Sequence, residues 1–341
     1  MRVGLSMAEA GITKESCIYC GHSQSRFCYS AESMYGEIFS ICRCLKCGAY
    51  FLSPRPDDRQ LERYYDEAYY GSRPNKFSPA VEKVLDFFRQ GRARAVSRLV
   101  RPPGRVLDVG CGNGRFLGYL IERGYEGYGV ELPGPAAQRA GEVPGIHLKI
   151  GSLEEGDFPK GFFDAVCLWH VFEHLSQPRK TLQTIDFILK PGGFLFLSMP
   201  NIHSWQARLF KGRWLHLDPP RHLVFFSPEG LVRVLSEQGF QLCRKTTFSL
   251  EQNVFGIQQS LLNCICHKRE LLFEFLKGNH SYTAGYPMGL LRLQQVFTLL
   301  TSPLFVLAAA LESLFGAGGT MEMVFRKTDR TIVEGDRTGY V

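Results

Sequence analysis

Residues 106–120 read VLDVGCGNGRFLGYL. An apolar run ends in Asp108, and Gly110, Gly112 and Gly114 then alternate across five residues before a second apolar run at helical spacing. This is the pattern of a buried strand, a tight turn and a helix. The order continues downstream. RVLDVG, YEGYGVEL, IHLKIG, FFDAVCLW, GFLFLSMP and FQLCRKTTFSL read as strands, and helical patterns follow from Gly114, Pro133, Gln177 and Ser227. Alternation of this kind predicts an α/β fold, with an open parallel sheet covered by helices on both faces. TMEMVFRK at 320–327 reads as one further strand, so a helical insertion separates the last two strands.

The turn itself narrows the ligand. A dinucleotide site asks for G-x-G-x-x-G, with an acid about 20 residues further on. Gly110, Gly112 and Glu131 fit, but Arg115 stands at the third glycine position and Gly114 comes one place early. Asp108 discriminates further. A pyrophosphate docks on a helix N-terminus because amides and dipole there attract negative charge. A carboxylate at the end of the same strand opposes that anion and suits a ligand bearing an ammonium and a sulfonium. S-adenosylmethionine is such a ligand. The turn Gly110, Cys111, Gly112, Asn113, Gly114 would let the backbone approach its methionyl part, and Glu131 could accept its ribose hydroxyls.

Four stretches now stand in order and spacing: VLDVGCGNGRFL, the acidic Glu131, FFDAVCLWHVFEHL and ILKPGGFLFLSMPN. Together they resemble the class I S-adenosylmethionine-dependent methyltransferases, above all the type related to ubiquinone- and menaquinone-biosynthesis methyltransferases, over about residues 85–250. The resemblance implies a Rossmann-like seven-stranded sheet with a reversed final hairpin. It also implies that Ser152 and Leu153, after the third strand, cradle the adenine. Many relatives carry an aspartate where Ser152 stands, which shifts the adenine contact to backbone or apolar groups. Trp169 and His170, at the end of the fourth strand, would border the methyl donor.

The remaining chain divides around this core. Residues 1–16 read as a flexible tail without the apolar segment of a secretory signal. Residues 17–50 hold two C-x2-C knuckles, Cys17/Cys20 and Cys44/Cys47, each followed by a glycine. Four thiolates so spaced predict a structural zinc ribbon. His22, Cys28 and Cys42 compete for ligand places. Eleven cysteines point to a reducing, cytoplasmic setting rather than to disulfides. Residues 51–100 form a linker and helical lead-in, and AVEKVLDFFRQGRARAVSRLV places apolar residues on one helix face and arginines on the other. Zinc-ribbon methyltransferases resemble this chain in carrying an F-L-x-P-R-P segment and a YYDEAYY-like segment. In that reading Tyr64, Tyr65, Tyr69 and Tyr70 either close over the donor or pack the helix.

The methyltransferase domain takes residues 101–249 plus 319–328, and residues 250–318 the apolar helical insertion. Within the insertion, LQQVFTLLTSPLFVLAAAL at 293–311 carries no formal charge, with Pro303 in its middle. We expect a pair of apolar helices broken at Pro303, either a buried cap or a hairpin giving peripheral membrane contact through residues 290–316, with a full bilayer span as the third reading, against which its polar residues count.

On the acceptor side, His170, Glu173 and His174 form H-x-x-E-H after the fourth strand, expected at the start of a helix, and DPPRHLVFF adds Arg221 and His222. Three readings stay open. His170 or His222 could be the general base of methyl transfer. The group could hold a divalent metal, as in relatives with E-x-x-E-H, although His170 replaces the first acid here. Or Glu173 and His174 could stabilise the local helix. Arg221 could hold an anionic acceptor group.

A net charge of +7 without a basic block, and aromatic residues set in apolar runs, do not indicate nucleic acid. The expected activity is therefore methyl transfer from S-adenosylmethionine, most directly to oxygen, on a small-molecule, glycan or lipid-linked acceptor. Two alternatives remain: an RNA methyltransferase reading its substrate with the ribbon, and a non-catalytic scaffold.

Overall fold

The computed structural model describes residues 12–13, 15–57, 60–61, 63–64 and 79–328. Its strands, in chain order, are β1 (Ile12–Thr13), β2 (Ser25–Glu32), β3 (Ile38–Cys44), β4 (Tyr50–Ser53), β5 (Arg105–Val109), β6 (Glu126–Glu131), β7 (Ile146–Ile150), β8 (Phe163–Trp169), β9 (Leu189–Pro200), β10 (Val224–Phe225), β11 (Phe240–Thr246) and β12 (Thr320–Lys327). The helices are α1 (Pro79–Ser97), α2 (Arg115–Ile121), α3 (Pro135–Gly141), α4 (Pro178–Ile188), α5 (Trp205–Phe210), α6 (Pro228–Ser236), α7 (Asn253–Ile265), α8 (Leu271–Lys277), α9 (His280–Thr283) and α10 (Met288–Leu314).

The large sheet has seven strands in the order β11-β12-β9-β8-β5-β6-β7. β5, β6, β7, β8 and β9 pair in parallel, while β12 inserts antiparallel to both β9 and β11. This is the class I methyltransferase arrangement with its reversed final hairpin. Strand β5 is buried from Val106 onward because helices cover both faces. The chain steps from β5 outward to β6 and β7, then crosses back to lay β8 on the other side of β5. That reversal opens a crevice at the carboxyl ends of β5 and β8, where an open α/β sheet binds its ligand.

The second sheet, β1-β2-β3-β4-β10, is antiparallel and carries the cysteine knuckles. It extends beyond residues 17–50. β1 adds residues from the expected tail, β4 lies in the expected linker, and β10 is lent by the methyltransferase domain, with Val224 opposite Phe51. Cys17, Cys42 and Phe51 share one buried cluster with Leu107, Val224 and Phe226, so ribbon and catalytic sheet pack through a common core.

The insertion forms four helices, α7 to α10. Contrary to the expected break, α10 runs unbroken for 27 residues with Pro303 inside it. A proline within a helix costs about 3 kcal/mol, through the lost hydrogen bond and a clash one turn back. Pro303 faces outward, and α7 braces the helix just before it: the Gln258 amide donates to the Thr298 carbonyl at 2.7 Å and to Thr301 Oγ1 at 3.0 Å, while beyond the proline Phe305 and Ala308 pack against the cluster that holds Ile257 of α7.

Candidate active site

The turn after β5 needs its glycines. Gly110, Gly112 and Gly114 have φ of 70°, 59° and 71°, in the left-handed region. A Cβ on Gly110 would lie 2.6 Å from Val171 Cγ2, and one on Gly114 would lie 2.7 Å from Ile146 Cδ1. Asn113 Oδ1 accepts from the Arg115 amide as α2 begins. Cys111 is buried against Leu117 and the β6 backbone at Gly129. The Glu131 carboxylate accepts from Gly112 N at 2.7 Å and from Leu132 N at 3.0 Å, which draws the end of β6 onto the turn.

Asp108 is 3% exposed, and its Oδ1 has no hydrogen-bond partner among the described residues. Burial raises its pKa well above the usual carboxylate range. Arg92 opposes that rise and the Glu131 charge adds to it. A buried carboxylate oxygen with nothing to bind is costly unless a ligand satisfies it. The residues present therefore fit a cationic donor: an orphaned carboxylate, a turn that excludes Cβ atoms, and a second acid on the neighbouring strand. Leu153 is buried and Ser152 exposed after β7, with the Ser152 carbonyl accepting from Lys149 Nζ at 2.6 Å.

Trp169 ends β8, edge-on to Phe116, with the Arg92 guanidinium 5.3 Å from its ring centre. Arg92 also pairs with Glu251 at 2.6 Å, tying α1 to the segment before α7. The arginine face of α1 is thus only partly solvated. Arg89 and Arg92 follow the spacing of the buried Ala93 and Val96, and that spacing was the available sign that they turn inward. Tyr64 bonds to Glu37, while Tyr65, Tyr69 and Tyr70 lie outside the described residues.

The H-x-x-E-H stretch is not the start of an α-helix. Phe172–His174 is a single 3-10 turn, and His170 sits before it at φ 57°. Both His170 nitrogens are engaged, Nδ1 with Glu173 Oε1 at 3.2 Å and Nε2 with Ser198 Oγ at 3.0 Å. Ser198 is a buried polar residue in the apolar run of β9, which was its only mark in the sequence.

His174 and His222 are arranged differently. His174 Nδ1 lies 3.1 Å from the Arg221 carbonyl, and His222 Nδ1 lies 2.9 Å from the His216 carbonyl. A carbonyl only accepts, so each Nδ1 carries the proton and each Nε2 keeps its lone pair. The two rings meet edge to face with centres 4.5 Å apart. Glu173 is fully buried, and its Oε2 lacks a partner among the described residues. One ligand atom each from Glu173, His174 and His222 lie within 4.8 Å of one another. Burial lowers the His174 pKa to about 3, with His222 adding to the shift. For Glu173, burial works toward a higher pKa, but the adjacent histidines, His170 first, bring it below the usual value.

Arg221 is not presented to an acceptor. It is buried and clasps Asp218 through two hydrogen bonds of 2.9 and 2.7 Å, closing the loop that carries His222. That loop continues into β10. Leu223 N donates to the Glu173 carbonyl at 2.7 Å, and Leu52 N of the ribbon donates to the Leu223 carbonyl at 3.1 Å. The second sheet thereby braces the loop that carries His222.

In the ribbon, Cys17 Sγ lies 3.6 Å from Cys47 Sγ and Cys20 Sγ 3.6 Å from Cys44 Sγ, with all four sulfurs within 4.8 Å. Gly21 and Gly48 both have φ of 71°, as the knuckle turns require. Cys44 Sγ accepts from the amides of Lys46 and Cys47. His22, Cys28 and Cys42 are not among the four.

A family described as "Methyltransferase domain" matches residues 80–245. The chain is 29% identical over 150 residues to a ubiquinone biosynthesis O-methyltransferase of Idiomarina loihiensis, covering 38% of this chain and 58% of the relative. It is 30% identical over 175 residues to the protein of that name in Xanthomonas axonopodis pv. citri, covering 47% of this chain and 73% of the relative. A solved structure described as a SAM-dependent methyltransferase from Archaeoglobus fulgidus is 16% identical, with a TM-score of 0.45, over 78% of this chain and 99% of that one.

Proposed function

Since the chain belongs to the class I S-adenosylmethionine-dependent methyltransferases, we propose that it methylates a hydroxyl oxygen on a small-molecule, glycan or lipid-linked acceptor. Its similarity to ubiquinone biosynthesis O-methyltransferases supports O-methylation. The observation that carries the reading is the buried Asp108 oxygen without a partner, beside a turn that only glycine can form.

S-adenosylmethionine, when bound, supplies an electrophilic methyl group on a sulfonium that departs as a neutral thioether. Asp108 faces the donor's positive end, Glu131 its ribose hydroxyls, and Trp169 with Arg92 walls the crevice. The acceptor oxygen must approach the methyl carbon in line and lose its proton. His222 Nε2, 3.9 Å from Asp218 Oδ2, carries the lone pair that takes that proton, whereas the low pKa of His174 makes it a weak proton acceptor. His170 is a positioning residue that orients Glu173.

The donor set of two imidazole nitrogens and one carboxylate, with backbone carbonyls fixing both histidine tautomers, also fits a divalent cation on Glu173, His174 and His222. Bound there, a cation would make the acceptor hydroxyl more acidic. The four ribbon cysteines fit a structural zinc ion: sulfurs about 2.3 Å from a tetrahedral metal stand about 3.8 Å apart, near the 3.6 Å contacts observed.

The test is transfer of label from methyl-tritiated donor to catechol, glycan and polyprenyl-linked acceptors, read in the extracted product. Label in an ether linkage supports the proposal. Binding of the donor without transfer to any acceptor would favour a scaffold, and label on nitrogen or carbon would replace the oxygen reading.

A further inference from the structure

Helix α10 carries an outward stripe of Leu293, Leu300, Leu304, Leu307, Leu311 and Leu314, each between 51 and 82% exposed. Steps of seven, four, three, four and three residues lay them in one row along a helix of 27 residues, about 40 Å long. Only Leu291, Gln294, Ala309 and Glu312 of this helix are buried.

Three anchors hold α10 along the folded body, two on the insertion's own helices and one on the catalytic domain. Near its start, Leu291 packs with Leu271 and Tyr282. At its middle, Gln258 of α7 bonds to Thr298 and Thr301. At its end, Glu312 accepts from Gln206, and Ser313 Oγ donates to the Thr247 carbonyl at 3.0 Å. A helix pinned at both ends and in the middle to one folded body cannot stand upright through a bilayer. Its row of leucines can lie flat on one.

The surroundings favour lipid over a second copy of the chain. A helical partner covers a narrow apolar seam flanked by charge. Here the flanks are apolar as well: Leu299 is 75% exposed, and Pro303 is also exposed. Beside the end of α10, Phe315 stacks on the half-exposed Trp205 at 5.3 Å, the aromatic type enriched where a bilayer meets water. Trp205 begins α5, whose next turn exposes Leu209 together with Arg208, and Lys211 and Arg213 follow, also exposed. No acid occurs between residues 201 and 217. An apolar band bordered by cations matches an anionic lipid surface.

We propose that α10, with α5 at its rim, seats this protein flat on the surface of an anionic bilayer, its leucine row sunk to the level of the acyl chains. This goes beyond the methyl-transfer reading and stands or falls without it.

Flotation of the full chain with vesicles of phosphatidylcholine, with and without added phosphatidylglycerol, tests it. The full chain should float with the anionic vesicles, and Leu300→Asp/Leu304→Asp/Leu307→Asp should lower its partition coefficient by at least about tenfold. Arg208→Glu/Lys211→Glu should lose the preference for phosphatidylglycerol. Phospholipids brominated on their acyl chains should quench Trp205 fluorescence in the unaltered chain, and Trp205→Phe should remove that quenching, a readout that does not depend on the aspartate variant folding. Absence of flotation and quenching in the unaltered chain overturns the proposal. So does a dimer by light scattering that the three aspartates split while vesicles leave the chain unbound, which would assign the face to a second copy.

Discussion

The sequence singles out Asp108 as the residue proposed to separate a sulfonium donor from a phosphate-bearing coenzyme. Its energetic state was not legible there, because burial and the lack of a partner depend on packing. A carboxyl whose pKa is raised in the folded chain is less comfortable ionised there than when unfolded. The cost sets in as pH rises above the ordinary carboxylate value and grows until pH passes the raised folded value. Asp108→Asn should therefore raise the thermal midpoint of the unliganded chain at neutral pH, measured by calorimetry. Donor affinity in the natural chain should rise with pH as Asp108 ionises, and the Asn variant should lose that dependence. Glu173 and the two histidines behave otherwise. Their chemistry lies beside the donor turn rather than in it, so Glu173→Gln should leave donor affinity within about twofold while turnover falls by about 10²-fold or more. Equal losses in binding and turnover would return Glu173 to a purely structural place.

At the scale of elements, β5, the glycine turn and α2 could be read from a dozen residues because sterics alone fix them. A Cβ at Gly110 meets Val171 at 2.6 Å from a left-handed backbone, so Gly110→Ala should lower both thermal midpoint and donor affinity. The H-x-x-E-H stretch reads as a helix start from its place after the fourth strand, but it forms only a 3-10 turn. The short connection from β8 instead turns the chain sharply at His170, where Ser198 and Glu173 hold the ring from both sides. α10 is expected to break because proline propensity is local, whereas it runs on through Pro303 because its inner face packs on α7, with Gln258 bonded before the proline and Phe305 and Ala308 packed after it. The ribbon's strand exchange with β10 had no signal in the sequence at all, since a two-residue strand carries no periodicity. It has a consequence for activity. Cys44→Ser should lower metal content by elemental analysis and, by loosening β4 and the β10 loop that carries His222, reduce turnover more than donor affinity.

For the whole molecule, one continuous core joins the ribbon to the seven-stranded sheet, and the insertion wraps the same body through α7. Sheet order and ligand crevice follow from the alternation of strands and helices, which is why the class of chemistry was readable early. The acceptor was not, because His174 and His222, 48 residues apart in sequence, meet only after folding. The central claim remains the selection of a cationic methyl donor by an unpartnered carboxylate against a bare backbone turn. Calorimetric titration of the natural chain and of Asp108→Ala with S-adenosylmethionine and with a nicotinamide dinucleotide tests it most directly. The account predicts saturable heat with the sulfonium compound, at least about tenfold weaker binding in the variant, a loss of about 1.4 kcal/mol, and no heat with the dinucleotide. Equal affinity in the two proteins, or preferential binding of the dinucleotide, would contradict it.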